Sequence, residues 1–407
     1  MPVPRRILLA DADAFFVAVA RMVDPEGAGK TPLLIVGGTR ESRGVVCSAS
    51  YETRKFGVRS AMPISQALRL CPDAMCVPVP RRACSEKSAE IRAVLEEYAP
   101  VVEGASIDEW YMDLGGTEGV YHHEPLATTA RRIRDAVRGA TQLSVSIGGG
   151  TNRLVAKLAV ERAKPKPGAG ADGVHAVEPG AEQEFLRTFR LAELPMVGPK
   201  FQERLAALGM ITVPDVLQYD LPTLHRYLGE READWLWDRV RGVDDSAVES
   251  HGEAKSISRD ETFAQDIHDD QELERELLAL VTRAAFDLRS DGVAARTITV
   301  RIRDMDFRNR SARRTLVEPV VSDRVILGVA RALLVKLRSA RRVPARLLGV
   351  ALSSLAQDPT ADQLALFDRD PDPLSETDRD RTLARAVDRV REKFGDRGLI
   401  PASLARD

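Results

Sequence analysis

The chain has 407 residues, 44% hydrophobic and 29% charged, with a formal net charge of −2. That composition makes it a globular protein able to bury real cores, and at roughly 100–200 residues per domain it predicts about two to four domains. It argues against a membrane or secreted chain: Arg5-Arg6 precede an apolar run that stops at Asp11, too short for a signal segment or a span. The four cysteines, Cys47, Cys71, Cys76 and Cys84, match no usual zinc spacing. Reduced thiols and a cytoplasmic location are expected.

In chain order, Ile7–Asp11 reads as a strand leading into a helix that starts at Phe15-Phe16. A second strand covers Leu33–Val36, a short helix Ile64–Arg69 and an amphipathic helix Ser85–Tyr98. Ser106-Ile107-Asp108-Glu109 opens another strand. A helix near Ala127–Val137 follows, then strand Leu143–Ile147, three glycines, and helix Asn152–Arg162. Pro165–Gly170 breaks that helix. Short helices fill Glu182–Arg241, and a polar linker runs to residue 253. Between Ser256 and Leu355, strands Thr297–Arg303 and Arg346–Ser353 alternate with helices Glu272–Leu288 and Arg324–Leu337, an α+β module. The segment Arg296–Arg346 carries fourteen Lys/Arg against four Asp/Glu, which hints at a polyanionic partner. Beyond Asp358 the chain turns acidic and Pro/Asp-rich, as in a partly disordered tail, with helical spacing over Ala384–Phe394.

Two segments carry the chemistry. Asp11 and Asp13 share one face of the first strand. Asp108 and Glu109 are neighbours, so both reach one site only if they lie at a strand end, turn or bulge. Asp11, Asp108 and Glu109 together would hold a pair of Mg²⁺ ions, hard cations that favour oxygen ligands. Such a pair clamps both oxygens of a phosphoryl transfer. The plainer alternative is polar residues at strand edges, and a lone Asp-Glu pair would deserve it. Tyr51, Arg54 and Lys55 fall within one helical turn and suit a triphosphate. Lys157 lies one turn into the helix after the glycines, whose N-terminus favours anions.

Gly27-Ala28-Gly29-Lys30-Thr31 lacks the leading strand and first glycine of a P-loop. Leu194–Lys200 has the form of a helix–hairpin–helix, in which Gly198 and Lys200 would grip DNA backbone without reading sequence. A plain helical hairpin is its close rival. Arg301 and Arg303 alternate on one strand, and residues 306–314, with Arg308, Arg310, Arg313 and Arg314, read as a hairpin loop. Such a stripe tracks phosphates. Gln363-Leu364-Ala365-Leu366-Phe367 is an apolar island that reads as a groove-docking peptide.

Together these segments resemble the Y-family translesion DNA polymerases, most closely the bacterial DinB branch, from Ile7 to Phe367. The most specific parts are Asp11–Phe16, Ser48–Pro63 and Ser106–Glu109. The resemblance implies an α+β right-hand architecture: palm 1–14 and 80–168, fingers 15–79, thumb 169–242, linker 243–253, little finger 254–357 and an acidic tail 358–407. It implies that Asp11, Asp108, Glu109 and the Ala12 carbonyl bind two Mg²⁺, with Mn²⁺ a substitute. Phe15 and Phe16 would meet the nucleotide, Phe16 as a gate against the ribose 2′-hydroxyl. Tyr51, Arg54 and Lys157 would hold the triphosphate, and Cys47 would lie over the nascent base pair. Gln363, Leu364, Leu366 and Phe367 would bind a sliding clamp.

The expected activity is low-fidelity synthesis past damaged template bases, by a monomer acting on primer–template DNA and dNTP, with no membrane role. The rivals are an inactive scaffold of a mutagenesis complex, another two-metal palm enzyme such as a nucleotide cyclase, and a pure DNA-binding module. Departures from the family pattern are Ala12, Ala20, Trp110, the long 165–173 loop and the tail after Phe367.

Overall fold

The structure, a computed structural model, describes residues 4–41, 43–165, 172–250, 254–357, 375–395 and 399. The chain forms two compact units, Met1–Gly252 and Glu253–Asp407. No described helix is long and apolar enough to cross a membrane, and all four cysteines are free.

The first unit runs β1 (Ile7–Ala12), α1 (Phe15–Val23), β2 (Leu34–Val36), β3 (Ser48–Ala49), α2 (Tyr51–Arg54), α3 (Ile64–Leu70), β4 (Met75–Val77) and α4 (Arg81–Glu96). It continues through β5 (Val101–Gly104), β6 (Glu109–Asp113), α5 (Leu126–Thr141), β7 (Val145–Gly150), α6 (Arg153–Ala163) and β8 (Val174–Ala176). It ends in short helices α7 (Glu182–Leu186), α8 (Pro199–Ala207), α9 (Val213–Leu217), α10 (Leu221–Leu228) and α11 (Glu230–Val240).

β1 lies at the centre of a five-stranded sheet ordered β5-β6-β1-β7-β8, antiparallel to both neighbours. Its period of two sends Leu8, Ala10 and Ala12 to one face and Ile7, Leu9 and Asp11 to the other. The first face packs with Trp110, Met112 and residues of α4 and α5. The second packs with Tyr111 and with Ala156 and Val160 of α6. The three glycines belong to β7 itself and not to a turn after it. A Cβ on Gly148 would lie 2.1 Å from the Val160 backbone nitrogen. Glycine here lets α6 lie directly on the sheet.

A three-stranded sheet ordered β3-β2-β4 carries its own small core around Ile35, Val58 and Ile64. The would-be P-loop is a turn: Asp24 accepts hydrogen bonds from the Gly27 and Ala28 N–H groups at 2.9 and 3.0 Å. Residues 243–250, read as linker, belong to the first unit. Val248 joins the core with Ile7, Leu9 and Tyr111, and Asp244 accepts from the Leu154 N–H at 3.1 Å.

The second unit runs β9 (Ser256–Ile267), α12 (Asp270–Ser290), β10 (Val293–Asp304), β11 (Asn309–Val320), α13 (Asp323–Ala340), β12 (Ala345–Gln357) and α14 (Asp378–Phe394). Its sheet order is β11-β10-β12-β9, and its core joins that sheet to α12 and α13. The hairpin turn is shorter than the sequence pattern suggests. β11 begins at Asn309, so Arg310, Arg313 and Arg314 are strand residues, and Phe307 in the turn adopts φ 65°.

α14 returns to this unit through charge. Arg289, its side chain 6% exposed, donates to Asp388 at 2.5 and 2.9 Å, to Asp323 at 2.9 Å and to the Val321 carbonyl at 2.7 Å. Arg324 forks onto Asp380 at 2.6 and 2.7 Å.

Candidate active site

Three residues form one row across the sheet: Glu109 on β6, Asp11 on β1 and Ser146 on β7. All face α6. Asp108 precedes the strand, in a turn where the Ala105 and Ser106 N–H groups both donate to the Glu109 carbonyl, at 2.9 and 3.2 Å. This is the distortion that the adjacent acids require. The Asp108 carbonyl accepts the Ala12 N–H at 2.9 Å, which ties the turn to the end of β1. The Ser106 hydroxyl donates to Asp108 Oδ1 at 2.5 Å.

α6 supplies a cation to each of two acids. Lys157 Nζ lies 2.6 Å from Glu109 Oε1. Lys164, the C-cap residue of α6 seven positions on, lies 2.8 Å from Asp11 Oδ2 and 2.6 Å from Glu161 Oε1. Asp11 is 7% exposed. Burial pushes its carboxyl up to about 6, against the pull of Lys164. Burial works to lower the Lys164 ammonium, but the carboxylates of Asp11 and Glu161 outweigh it and hold that group above its ordinary value. Among the described residues no three acid, imidazole or thiol groups stand ready around one point. The acids present the all-oxygen donor set that Mg²⁺ suits, and the lysines neutralise two of them.

Lys164 is a residue at the candidate site that the motifs alone do not mark. A signal for it exists, because Lys157 plus two helical turns gives 164. The N-terminus of α6 takes no outside anion: Asn152 caps it through Val155 N–H at 2.9 Å, and Asp244 takes Leu154 N–H.

Of the expected nucleotide residues, Tyr51 lies within electrostatic reach of Asp11, Asp13 and Lys164. Tyr51 begins α2, which Ser50 caps through the Thr53 N–H at 3.3 Å. Burial raises the Tyr51 hydroxyl above its ordinary value, with the nearby Asp13 charge adding to the effect. The Arg54 guanidinium lies 5.2 Å from the Tyr51 ring centroid, and its Nε donates to the Ala49 carbonyl at 2.9 Å. Phe15 is buried and Phe16 half-buried, their rings 5.5 Å apart and edge-on. Cys47 is exposed, and partial desolvation of its thiol holds that group above the ordinary range.

The basic residues divide. Gly198 caps α8 in extended conformation and Lys200 is exposed beside it. A 3₁₀ turn at Leu191–Glu193 stands where the first helix of the hairpin motif was expected. Arg301 pairs with Asp260 by crossing over Gly349, where a Cβ would lie 1.7 Å from Asp260 Oδ1. Arg303 donates to Asn309 Oδ1 at 2.8 Å, and Arg308 lies 3.5 Å from Asp306. Arg313 and Arg314 are exposed on β11. Arg310 serves the fold instead. It forks onto the fully buried Asp304 at 2.8 and 2.9 Å and also donates to the Leu337 carbonyl. Gln363, Leu364, Leu366 and Phe367 lie outside the described residues.

A mainly antiparallel sheet presenting a row of acids under a lysine-bearing helix, with a separate α+β unit that carries the basic segment 296–346, marks a palm-type nucleotidyl transferase. Similarity to known proteins agrees. The impB/mucB/samB family matches residues 10–161, its C-terminal domain 254–366, and the DNA polymerase-iota thumb domain 192–244. DNA polymerase IV of Desulfatibacillum aliphaticivorans is 36% identical over 98% of this chain and 97% of that protein. That of Gluconobacter oxydans is 35% identical over 89% and 99%. Among solved structures, a Y-family chimera of Dbh and Dpo4 has a TM-score of 0.74 at 26% identity, covering 86% of this chain and 98% of the other. The insertion ternary complex of Dbh DNA polymerase scores 0.60 at 26% identity and the same coverages. The chain belongs to the Y-family DNA polymerases, in their bacterial DinB-type branch. It is a DNA-directed DNA polymerase with the right-hand fold and an added little finger.

Proposed function

We propose that this polymerase extends primers past damaged template bases with low fidelity, by two-metal nucleotidyl transfer from dNTP. The observation that carries the reading is the row Glu109–Asp11, with Asp108 tied to Ala12 at its edge and Lys164 on Asp11. Asp11, Asp108, Glu109 and the Ala12 carbonyl would hold two Mg²⁺, or Mn²⁺ in their place. Bound there, the ions would supply charge neutralisation at the attacking and leaving oxygens. The protein's own work is positioning. Tyr51, Arg54 and Lys157 orient the triphosphate, and Lys164, released from Asp11, adds a fourth donor. Cys47 leaves room over the base pair, which weakens selection by shape.

The reading assigns residues 1–14 and 80–168 to the palm, 15–79 to the fingers, 169–242 to the thumb and 254–357 to the little finger. Gly198, Lys200, Arg301, Arg303, Arg308, Arg313 and Arg314 meet the primer–template backbone. Arg310 braces the hairpin that carries the others. Gln363–Phe367 docks a sliding clamp, and the enzyme works as a monomer in the bacterial cytoplasm, at the nucleoid.

Primer extension opposite a damaged template, with and without Mg²⁺, tests the reading. Metal-dependent extension past the lesion is expected. Conversion of free nucleotide without DNA would favour the cyclase rival, and absence of any metal-dependent chemistry would sink the proposal. Phe16→Ala is expected to raise ribonucleotide insertion at least about tenfold, since an apolar clash of this kind is worth at least about 1–3 kcal/mol. Lys164→Ala is expected to lower kcat/KM for dNTP by about tenfold to a hundredfold, the worth of one charge-assisted phosphate contact. Single-nucleotide insertion kinetics measure both.

A further inference from the structure

The turn that joins β1 to α1 is strained. Ala14 sits in the left-handed region, φ 47° and ψ 43°, which an L-residue with a Cβ enters only at a penalty. Such strain persists where the surroundings over-determine the backbone, and it concentrates at functional positions.

Here the surroundings are β7. The Asp13 N–H donates to the Ser144 carbonyl at 2.9 Å, and Ser146 Oγ donates to Asp13 Oδ1 at 2.7 Å. Ser146 is fully buried and stands beside Asp11 in the row of the site. On the other side of the turn, the Val17 and Ala18 N–H groups converge on the Ala14 carbonyl at 2.9 and 3.0 Å. The turn is therefore pinned at both ends. Its product is the placement of the next two rings. Phe15 goes into the core, while Phe16 stays half-buried with its ring edge-on to Phe15.

Asp13 has a second peculiarity. Its Oδ2 is buried and has no hydrogen-bond partner among the described residues. An amide there would keep the acceptor for Ser146 but would put two N–H donors where that partnerless oxygen lies.

We infer that Asp13, held by Ser146, is a positioning residue for sugar selection. It fixes the Ala14 turn, and through that turn the place from which Phe16 faces the sugar of the incoming nucleotide. This rests on Phe16 acting as the sugar gate.

The test is single-nucleotide insertion of dNTP and rNTP by wild type, Asp13→Ala, Ser146→Ala, Asp13→Asn and Phe16→Ala. The readout is the ratio of kcat/KM for the two sugars, in which a loss of folded enzyme cancels. Asp13→Ala and Ser146→Ala are each expected to lower the ratio roughly tenfold, the worth of one charge-assisted hydrogen bond. Asp13→Asn keeps an acceptor for Ser146 and is expected to stay within about twofold of wild type. Ser146→Ala removes a single buried hydroxyl and decides the matter if Asp13→Ala does not fold. A ratio unchanged in Ser146→Ala, with Phe16→Ala clearly lowered, overturns the inference and leaves the gate intact. A ratio unchanged in Phe16→Ala overturns the gate itself.

Discussion

Asp108→Ala is expected to reduce primer extension roughly a thousandfold while leaving the fold and DNA binding in place. The size follows from removing one carboxylate from a metal-dependent phosphoryl transfer, an effect of several kcal/mol on the barrier. The choice of Asp108 over Asp11 follows from their surroundings. Asp11 is buried against Lys164, so alanine there would strand a half-buried ammonium and confuse stability with chemistry. Asp108 lies on a turn, its side chain held by the Ser106 hydroxyl and its carbonyl by the Ala12 N–H. Alanine keeps the second contact. Insertion kinetics, read beside a thermal melt and DNA binding, separate the cases, and extension near the wild-type rate would refute the metal role.

Trp110→Ala is expected to destabilise the first unit by about 3–5 kcal/mol, the range for emptying a large aromatic site in a core. Trp110 is 1% exposed and is the largest fully buried side chain among the described residues. In register it stands between Ala10 and Gly104, so small neighbours on both sides make room for the indole. The resemblance implies a small residue at this position, and here Ala10 and Gly104 flank the larger one. Trp110 points away from the acids, because Glu109 before it and Tyr111 after it take the other face. Below the melting transition, insertion kinetics should therefore stay within a few-fold of wild type. A shift in denaturation midpoint worth less than about 1 kcal/mol would show that the cavity collapses instead.

Much of the site was legible because it follows from period and adjacency. Asp11 at the end of an apolar strand fixes its own face. Two neighbouring acids that must share a site demand a turn, and Asp108 lies in one. What was not legible depends on packing between elements. Lys164 stands beside Pro165, and a helix-breaking proline signals a loop, although α6 carries the lysine to Asp11. The glycines of β7 read as a phosphate-friendly helix entry, whereas their work is to admit α6 onto the sheet. Arg310 looked like one more cation in a basic run. Only the pairing of β10 with β11 shows that it faces the buried Asp304. Val248 read as linker because one apolar residue in a polar stretch gives no periodic signal.

The return of α14 has a consequence for where the little finger ends. α13 begins without a side-chain cap from Ser322. Glu376 answers its start from fifty-odd residues away, accepting the Val321 and Ser322 N–H groups at 2.9 and 2.5 Å. The second compact unit is therefore sewn from two pieces of sequence, the segment 254–357 and α14, which comes after the peptide Gln363–Phe367. A shortened chain that stopped at residue 374 would look like a harmless trim of an acidic extension. It would instead leave Arg289 enclosed with one of its two carboxylate partners gone, and the entry to α13 without the Glu376 carboxylate.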